Sequence, residues 1–431
     1  VSNEKFVIEG GRKLSGTLTP SGSKNEALPA LAATLLASEP VTLRNVPRIA
    51  DIEVMIEVLR KLGVEVTELD RHSFLFDPRS LNTSALDPEL CRRIRASILF
   101  AGPLVAKTGQ AELPPPGGDV IGRRRLDTHF QALAALGAKF DLGQSFHIRT
   151  DGRLKGAEIF LDEASVTATE NAIMAAVLAD GLTEIENAAC EPHVQGLCHL
   201  LTQMGAQISG IGTHHLKIQG VERLGGADYR IGSDYLEIGS FIGLAAITGG
   251  ELTINDVNPR DVRMIQLVYR KLGVEFEVRE GNTVYVPPGQ ELRVQTELLG
   301  QIPQIADAPW PQFPTDLMSI GIVVATQCKG TCIFFEKMFE GRMFFVDHLI
   351  NMGAQIILCD PHRVVVVGPS RLFGTRLESP DVRAGMAMLI AALVAEGTSE
   401  IHNIRQIDRG YERVEEKLRA LGAGIERVAV G

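Results

Sequence analysis

Apolar positions recur along this chain at helical spacing, in stretches that close on one recurring pattern. Between Asp51 and Leu62, Ile52, Met55, Ile56, Leu59 and Leu62 fall on one face of a helix. The stretch ends in Leu62-Gly63-Val64. Leu/Met-Gly-Val/Ala then returns at Leu136-Gly137-Ala138, Met204-Gly205-Ala206, Leu272-Gly273-Val274, Met352-Gly353-Ala354 and Leu421-Gly422-Ala423. The six glycines are 74, 68, 68, 80 and 69 residues apart, which marks an internal repeat. Glycine at this point predicts a left-handed helix cap, where a Cβ is unfavourable. The residues after the glycine read as strand: Val64-Glu65-Val66, Ala206-Gln207-Ile208 and Val274-Glu275-Phe276-Glu277-Val278.

Between these points a second pattern recurs, an Ala/Leu/Gly-rich helix running into a short strand. It appears from Leu35-Leu36-Ala37 to Val41-Thr42-Leu43, from Ala175 to Ile185-Glu186-Asn187, from Gly243 to Thr253-Ile254-Asn255, and from Ala391 to Ile401-His402-Asn403. Each repeat therefore holds two helices and several strands. The segment up to Gly63 and the tail after Gly422 together make one repeat length, so the N-terminal strand is expected to complete the last repeat. Six repeats can form one ring or two groups of three. A single core for 431 residues exceeds the size at which cores stop growing, which favours two groups. The Gly-rich, polar stretches near Ser21-Gly22-Ser23 and from Leu224-Gly225-Gly226 to Gly232 are the expected crossings. The expected domains are then 24–230, and 1–23 with 231–431, able to close over a ligand in the cleft between them.

Charge and composition narrow the chemistry. A net charge of −10 repels nucleic acid unless basic residues are gathered locally, so an anionic ligand needs a focused pocket. Apolar runs such as Met386 to Ala395 are far shorter than the roughly 18 residues of a membrane span. Val1-Ser2-Asn3-Glu4-Lys5 does not read as a signal peptide, and a cytoplasmic protein is expected. Cys91, Cys190, Cys198, Cys328, Cys332 and Cys359 are irregularly spaced and read as reduced. Cys190, His193, Cys198 and His199 fit no zinc-ligand spacing, and Gly210-x-Gly212 lacks the third glycine of a dinucleotide fingerprint.

Ser21-Gly22-Ser23-Lys24-Asn25 puts a cation and an amide at a predicted helix N-terminus, a place that favours anions, although Lys24 alone also reads as a surface lysine. It is not a Walker A loop. The run from Pro114 to His129 combines three prolines, three glycines, Asp119 and Arg123-Arg124-Arg125, and reads as a lid (114–125) or a solvated loop. In Trp310-Pro311-Gln312-Phe313-Pro314-Thr315-Asp316 the prolines hold a carboxylate rigidly, as a general base requires; a helix N-cap is the competing role. Arg342, Arg383 and Arg409 suit a carboxylate or phosphate, or a structural ion pair, with Asp381 and Asp408 as local partners.

Taken together, Ser21-Gly22-Ser23-Lys24-Asn25, Arg95-Ala96-Ser97-Ile98, Pro116-Gly117-Gly118 with Ile121-Gly122, Phe313-Pro314-Thr315-Asp316, Phe339-Glu340-x-Arg342 and Asp408-Arg409-Gly410-Tyr411-Glu412-Arg413 resemble the UDP-N-acetylglucosamine 1-carboxyvinyltransferases, enolpyruvyl transferases of peptidoglycan synthesis. The resemblance runs nearly end to end. It implies an α/β protein of two inside-out α/β barrels, each of three βαβαββ repeats, with the active site between them. It implies phosphoenolpyruvate and UDP-N-acetylglucosamine as substrates, addition followed by elimination, no metal or other cofactor, and no nucleic acid, membrane or obligate protein partner.

Residue by residue, Asp316 matches the family's base for the sugar 3-hydroxyl. Lys24, Arg124 and Arg409 match cations around the phosphate of phosphoenolpyruvate, and Arg342, Arg383 and Phe339 match residues lining that site. Asn25 matches a sugar contact, Arg95, Asp127 and His129 the uridine end, and Ser165 and Val166 the diphosphate. Asp119 stands where many members carry the lid cysteine and is expected to deliver the proton instead. Fosfomycin, which alkylates that cysteine, then meets a weaker nucleophile. Glu163 and Thr167 replace Lys and Gly of many relatives, and Glu163 repels a diphosphate unless it points away. Two other readings are enolpyruvyl transfer to shikimate 3-phosphate, whose enzymes carry Arg rather than Asn after the lysine, and a catalytically silent binding protein on the same fold.

Overall fold

A computed structural model describes residues 4–118, 122 and 124–430. Asp119 and Arg123 lie outside the described residues. The chain divides into two compact units, one of residues 4–21, 122 and 233–430, the other of 22–118 and 124–232.

The repeat seen in the sequence becomes one small sheet each time. In the sheet built from Glu158–Phe160, Leu182–Glu186, Gln207–Ser209 and His215–Gln219, the first two strands pair in parallel across an intervening helix. The last two form an antiparallel hairpin whose second strand inserts beside the second of the sheet. Five sheets share this four-strand order. In the other, the first strand is reduced to a bridge between Ala85 and Glu112. The result is βαβαββ, three times in each unit.

Each unit is closed by a strand from its own end. Glu4–Glu9 pairs antiparallel with both Thr398–His402 and Gly424–Ala429, so the N-terminal strand completes the last repeat as its sequence position predicts. In the other unit Ala227–Arg230 pairs in parallel with Val41–Arg44 and completes the first sheet.

The two helices of a repeat differ in where their apolar residues lie. The first is buried nearly all round in Lys24–Ala33 and Val166–Ala176 of one unit and in Tyr235–Thr248, Met318–Thr326 and Val382–Val394 of the other, while Ala101–Thr108 is buried over Ala101 to Val105 and exposes its last turn. The second has a single apolar face, as in Arg263–Lys271, where Ile265, Val268 and Tyr269 are buried. The sheets lie outside, with polar outer faces: His215, Lys217 and Gln219 are exposed while Leu216 and Ile218 are buried. Helices inside and sheets outside make each unit an inside-out α/β barrel. Small residues let the inner helices approach one another. A Cβ on Gly239 would stand 2.8 Å from Leu317 Cδ1, and one on Gly243 2.8 Å from Val324 Cγ2.

The glycine pattern has a specific cause. Gly63 has φ 97°, its N–H bonds Arg60 O, and the Val64 N–H bonds Leu59 O, which is the paired C-cap of a Schellman motif. Gly137, Gly205, Gly273, Gly353 and Gly422 repeat both bonds with φ between 79° and 108°. The Val or Ala after each glycine is buried, so it turns the chain back into the core. One strand differs from expectation. Val274 to Phe276 leave this cap unpaired, and pairing starts at Glu277.

A second local device recurs after the second strand of a repeat. Asn45, Asn187 and Asn403 adopt φ of 56–58°, and their Nδ2 atoms donate to Ile231 O, Leu161 O and Ser379 O at 2.8–2.9 Å. Each carbonyl lies one residue past the first strand, so the asparagine ties the two parallel strand ends together. Asn187→Ala is expected to cost about 1–2 kcal/mol, from the left-handed backbone and the lost bond, and Asn187→Gly about half of that. Denaturant unfolding of the two variants checks this; equal losses would show that conformation does not contribute.

Candidate active site

Seven of the candidate residues, Lys24, Asn25, Arg95, Ser165, Val166, Asp316 and Arg383, stand at or just before the N-terminal ends of buried helices. The helices that begin at Ala101, Val166, Met318 and Val382 follow the first strand or bridge of their own repeat, whereas those that begin at Lys24 and Tyr235 follow strands that pair in the other unit. Unpaired N–H groups at such helix ends favour anions.

In the unit carrying Asp316, the loop after Gln304–Ala306 holds Pro309, Pro311 and Pro314 and ends in a 3₁₀ turn, Thr315–Leu317, that leads into Met318–Thr326. Asp316 does not cap that helix. Its Oδ1 accepts from Arg342 Nη2 at 2.5 Å and its Oδ2 from Arg383 Nε at 3.1 Å. Arg383 is the second residue of Val382–Val394 and only 5% exposed. Burial opposes its charge, but Tyr411, Asp316 and Asp234 outweigh burial and raise its pKa. Its Nη1 donates to Tyr411 Oη at 3.1 Å, and its guanidinium lies 5.4 Å from that ring's centre. The Arg342 guanidinium lies 5.5 Å from the Phe339 ring centre.

The local ion pairs expected from the sequence do not form. Asp381 accepts instead from the backbone N–H groups of Arg383 and Ala384, as the helix N-cap. Asp408 is taken by Arg427 through bonds of 2.7 and 3.0 Å, and Arg409 donates to Gln406 Oε1 at 2.9 Å. At the start of Val382–Val394 the Asp381 carboxylate is taken by neighbouring backbone N–H groups, not by the Arg383 guanidinium. Arg383 is thereby available to Asp316, 67 positions away.

In the other unit Lys24 is the first residue of its helix, Ser23 caps it, and Lys24 Nζ pairs with Asp51 Oδ2 at 2.7 Å. Lys24 is buried, not a surface lysine, and Asn25 is half-buried beside it. Arg95 opens the turn Arg95–Phe100 that leads into Ala101–Thr108, and its guanidinium donates to the Arg124 carbonyl. Burial, and then the Arg124 charge, push the Arg95 pKa down to about 10. Ser165 caps Val166–Ala176, with Val166 as its first residue. Glu163 is exposed. Asp127 is also exposed and pairs with Arg125 at 3.2 Å.

His129 is held internally. Asn171 Oδ1 accepts from Gly102 N at 2.7 Å, which turns its Nδ2 toward Ile98 O and His129 Nδ1. Nδ1 therefore accepts, and the neutral ring carries its proton on Nε2, 3.0 Å from Thr167 Oγ1. Thr167 is thus the acceptor for His129.

Sequence reasoning missed Asp51 and Asn171 and gave Tyr411 no role. Asp51 reads as an ordinary first-turn acid. Asn171 had a signal, a run of polar residues, Thr169-Glu170-Asn171, inside an Ala-rich helix.

Burial, and secondarily Arg95, push the His129 pKa down to about 3. The unfolded chain then binds a proton near pH 6.5 that the native state refuses, so His129 removes stability as pH falls from about 6.5 to about 3. His129→Gln is expected to flatten that decline in a pH series of thermal midpoints. An unchanged slope would mean that the ring protonates in the folded protein.

The family described as EPSP synthase (3-phosphoshikimate 1-carboxyvinyltransferase) matches residues 8–418. A protein of Treponema denticola named UDP-N-acetylglucosamine 1-carboxyvinyltransferase is 56% identical over 98% of this chain and 99% of its own length. One of the same name from Bradyrhizobium diazoefficiens is 55% identical over 98% of each. Among solved structures, the enolpyruvyl transferase NikO from Streptomyces tendae superimposes with a TM-score of 0.87 at 23% identity, covering all of both chains. EPSP synthase from Acinetobacter baumannii does so at 0.78 and 18%, covering 99% of this chain and all of its own. These structures share the fold, and the family match runs through all six repeats: the chain belongs to the EPSP synthase family of enolpyruvyl transferases.

Proposed function

We propose that this protein transfers the enolpyruvyl group of phosphoenolpyruvate to the 3-hydroxyl of UDP-N-acetylglucosamine and releases phosphate, the first committed step of peptidoglycan synthesis, in the cytoplasm. The observation that carries the reading is that relatives sharing 55–56% of residues over nearly the whole chain bear the name of that activity. Residues of both units serve the reaction. Asp119 protonates the methylene carbon of phosphoenolpyruvate while the sugar oxygen, giving its proton to Asp316, bonds to the neighbouring carbon. The tetrahedral adduct then loses a methyl proton and phosphate, which regenerates the double bond.

The geometry supports this in a particular way. An aspartate between two guanidiniums is a weak base, because both arginines favour its charged form. The carboxylate and phosphate of phosphoenolpyruvate compete for Arg342 and Arg383, and substrate binding then frees Asp316 for the hydroxyl. Lys24, Arg124 and Arg409 hold the phosphate, and Phe339 lines that site. Asn25 meets the sugar, and Arg95, Asp127, His129, Ser165 and Val166 serve the nucleotide, His129 through the support it gives to its neighbours. Release of phosphate from phosphoenolpyruvate that requires UDP-N-acetylglucosamine, and is not supported by shikimate 3-phosphate, is the expected result. Release with shikimate 3-phosphate instead would transfer the activity to that acceptor; release with neither would leave a silent binding protein.

Asp316→Asn is expected to bind both substrates while turnover falls by roughly 100-fold or more, the scale of losing a general base. Near-normal turnover in the release assay would take Asp316 out of the mechanism. Fosfomycin is expected to leave this enzyme active at concentrations that inactivate a relative with a lid cysteine, since a carboxylate attacks an epoxide far more slowly than a thiolate. Asp119→Cys should restore time-dependent inactivation. An adduct mass on the unmodified lid would refute this role of Asp119.

A further inference from the structure

A pair of buried acids lies directly behind Asp316. The strand Gln304–Ala306 runs parallel to Gly330–Phe335 with Ala306 opposite Phe335, so Asp307 and Glu336 leave the sheet side by side. Both are fully buried. Glu336 Oε1 accepts from the N–H groups of Met338 and Phe339 at 3.1 and 3.0 Å, and Thr315 Oγ1 lies 3.1 and 2.9 Å from its two oxygens. Asp307 Oδ1 accepts from Lys337 N at 2.5 Å, and Asp307 Oδ2 has no donor among the described residues. Asp307 is near enough to Glu336 to raise its pKa, both as a hydrogen-bond partner and as a like charge. Two ionised carboxylates so placed would repel, and an orphan oxygen is costly.

We propose that Asp307 and Glu336 hold one proton between them, and that this proton is a positioning element that ties the Asp316 loop to the turn carrying Phe339 and Arg342. Thr315 precedes Asp316, and Met338 and Phe339 begin the turn that ends at Arg342. One protonated pair therefore fixes both ends of the Asp316–Arg342 contact. Arg342 faces the pair as the opposing positive charge, and the His362 ring sits on the Glu336 carbonyl at 2.7 Å. Burial, and then Asp307, push the Glu336 pKa up to about 8, against the pull of Arg342. Loss of the proton puts two negative charges in contact and loosens the two loops.

Asp307→Asn and Glu336→Gln each put an amide hydrogen where the proton lies and keep the pair at a single negative charge. The unmodified enzyme is expected to lose kcat through one deprotonation near pH 8, with KM little changed. Asp307→Asn should match its kcat within about twofold at pH 7 and hold it to about pH 9.5. Coincident alkaline limbs would overturn the proposal. The kinetic arm rests on the enolpyruvyl-transfer reading; a second arm does not. The native pair holds a proton that the unfolded chain has lost above about pH 4.5, so the pair's contribution to stability falls as pH rises from there to about 8. The thermal midpoint of Glu336→Gln should therefore rise relative to the unmodified protein across that range and level off above it. Parallel curves would mean that no proton is shared, whatever the phosphate-release assay shows.

Discussion

A helix that is apolar on every side has to be surrounded, and this requirement governs both units. Tyr235–Thr248, Met318–Thr326 and Val382–Val394 cannot lie on a surface without exposing apolar side chains to water. Three such helices fill the interior of a barrel, three small sheets enclose them, and strands from the ends of each unit close the enclosure. Glycines at the helix contacts permit the close approach that a threefold interior demands.

The placement of the chemistry is a consequence of that enclosure. The inner helices are dressed on their sides by apolar neighbours, and their polar ends remain for polar work. Lys24, Ser165 and Arg383 sit in the cap or first turn of three of them, while Arg95 and Asp316 sit in the turns leading into two more. A protein with a net charge of −10 thereby presents cations and free N–H groups at a few chosen points. Carboxylates nearby are spoken for: Asp51 by Lys24, Asp316 by Arg342 and Arg383, Asp408 by Arg427. These pairs hold the cations in place before any ligand arrives.

Buried polar groups near these helix ends support one another. Asn171 orients His129, His129 bonds Thr167 beside the Ser165 cap, and Tyr411 steadies Arg383. Such networks are stable only when every member is satisfied. That makes the orphaned oxygen of Asp307 informative, because a shared proton satisfies it and no donor among the described residues does.

The features that the sequence determined by itself are those that depend on near neighbours. The Leu/Met-Gly-Val/Ala pattern is legible because a Schellman cap needs glycine at one position and an apolar residue at the next, all within one helical turn. The repeat length, and with it the closing role of Glu4–Glu9, come from counting those caps. Candidate site residues were legible through motif resemblance, residue by residue. Tertiary structure alone decided which charges meet. Asp381 and Asp408 looked like partners of Arg383 and Arg409, yet the helix start turns Asp381 onto backbone N–H groups, and Arg427, on a strand, reaches Asp408 first. The pairs Asp316–Arg383, Lys24–Asp51 and Asp307–Glu336 join residues 67, 27 and 29 positions apart, brought together by strand register and helix packing. A side chain's partner depends on where the fold aims it, and no local pattern carries that direction.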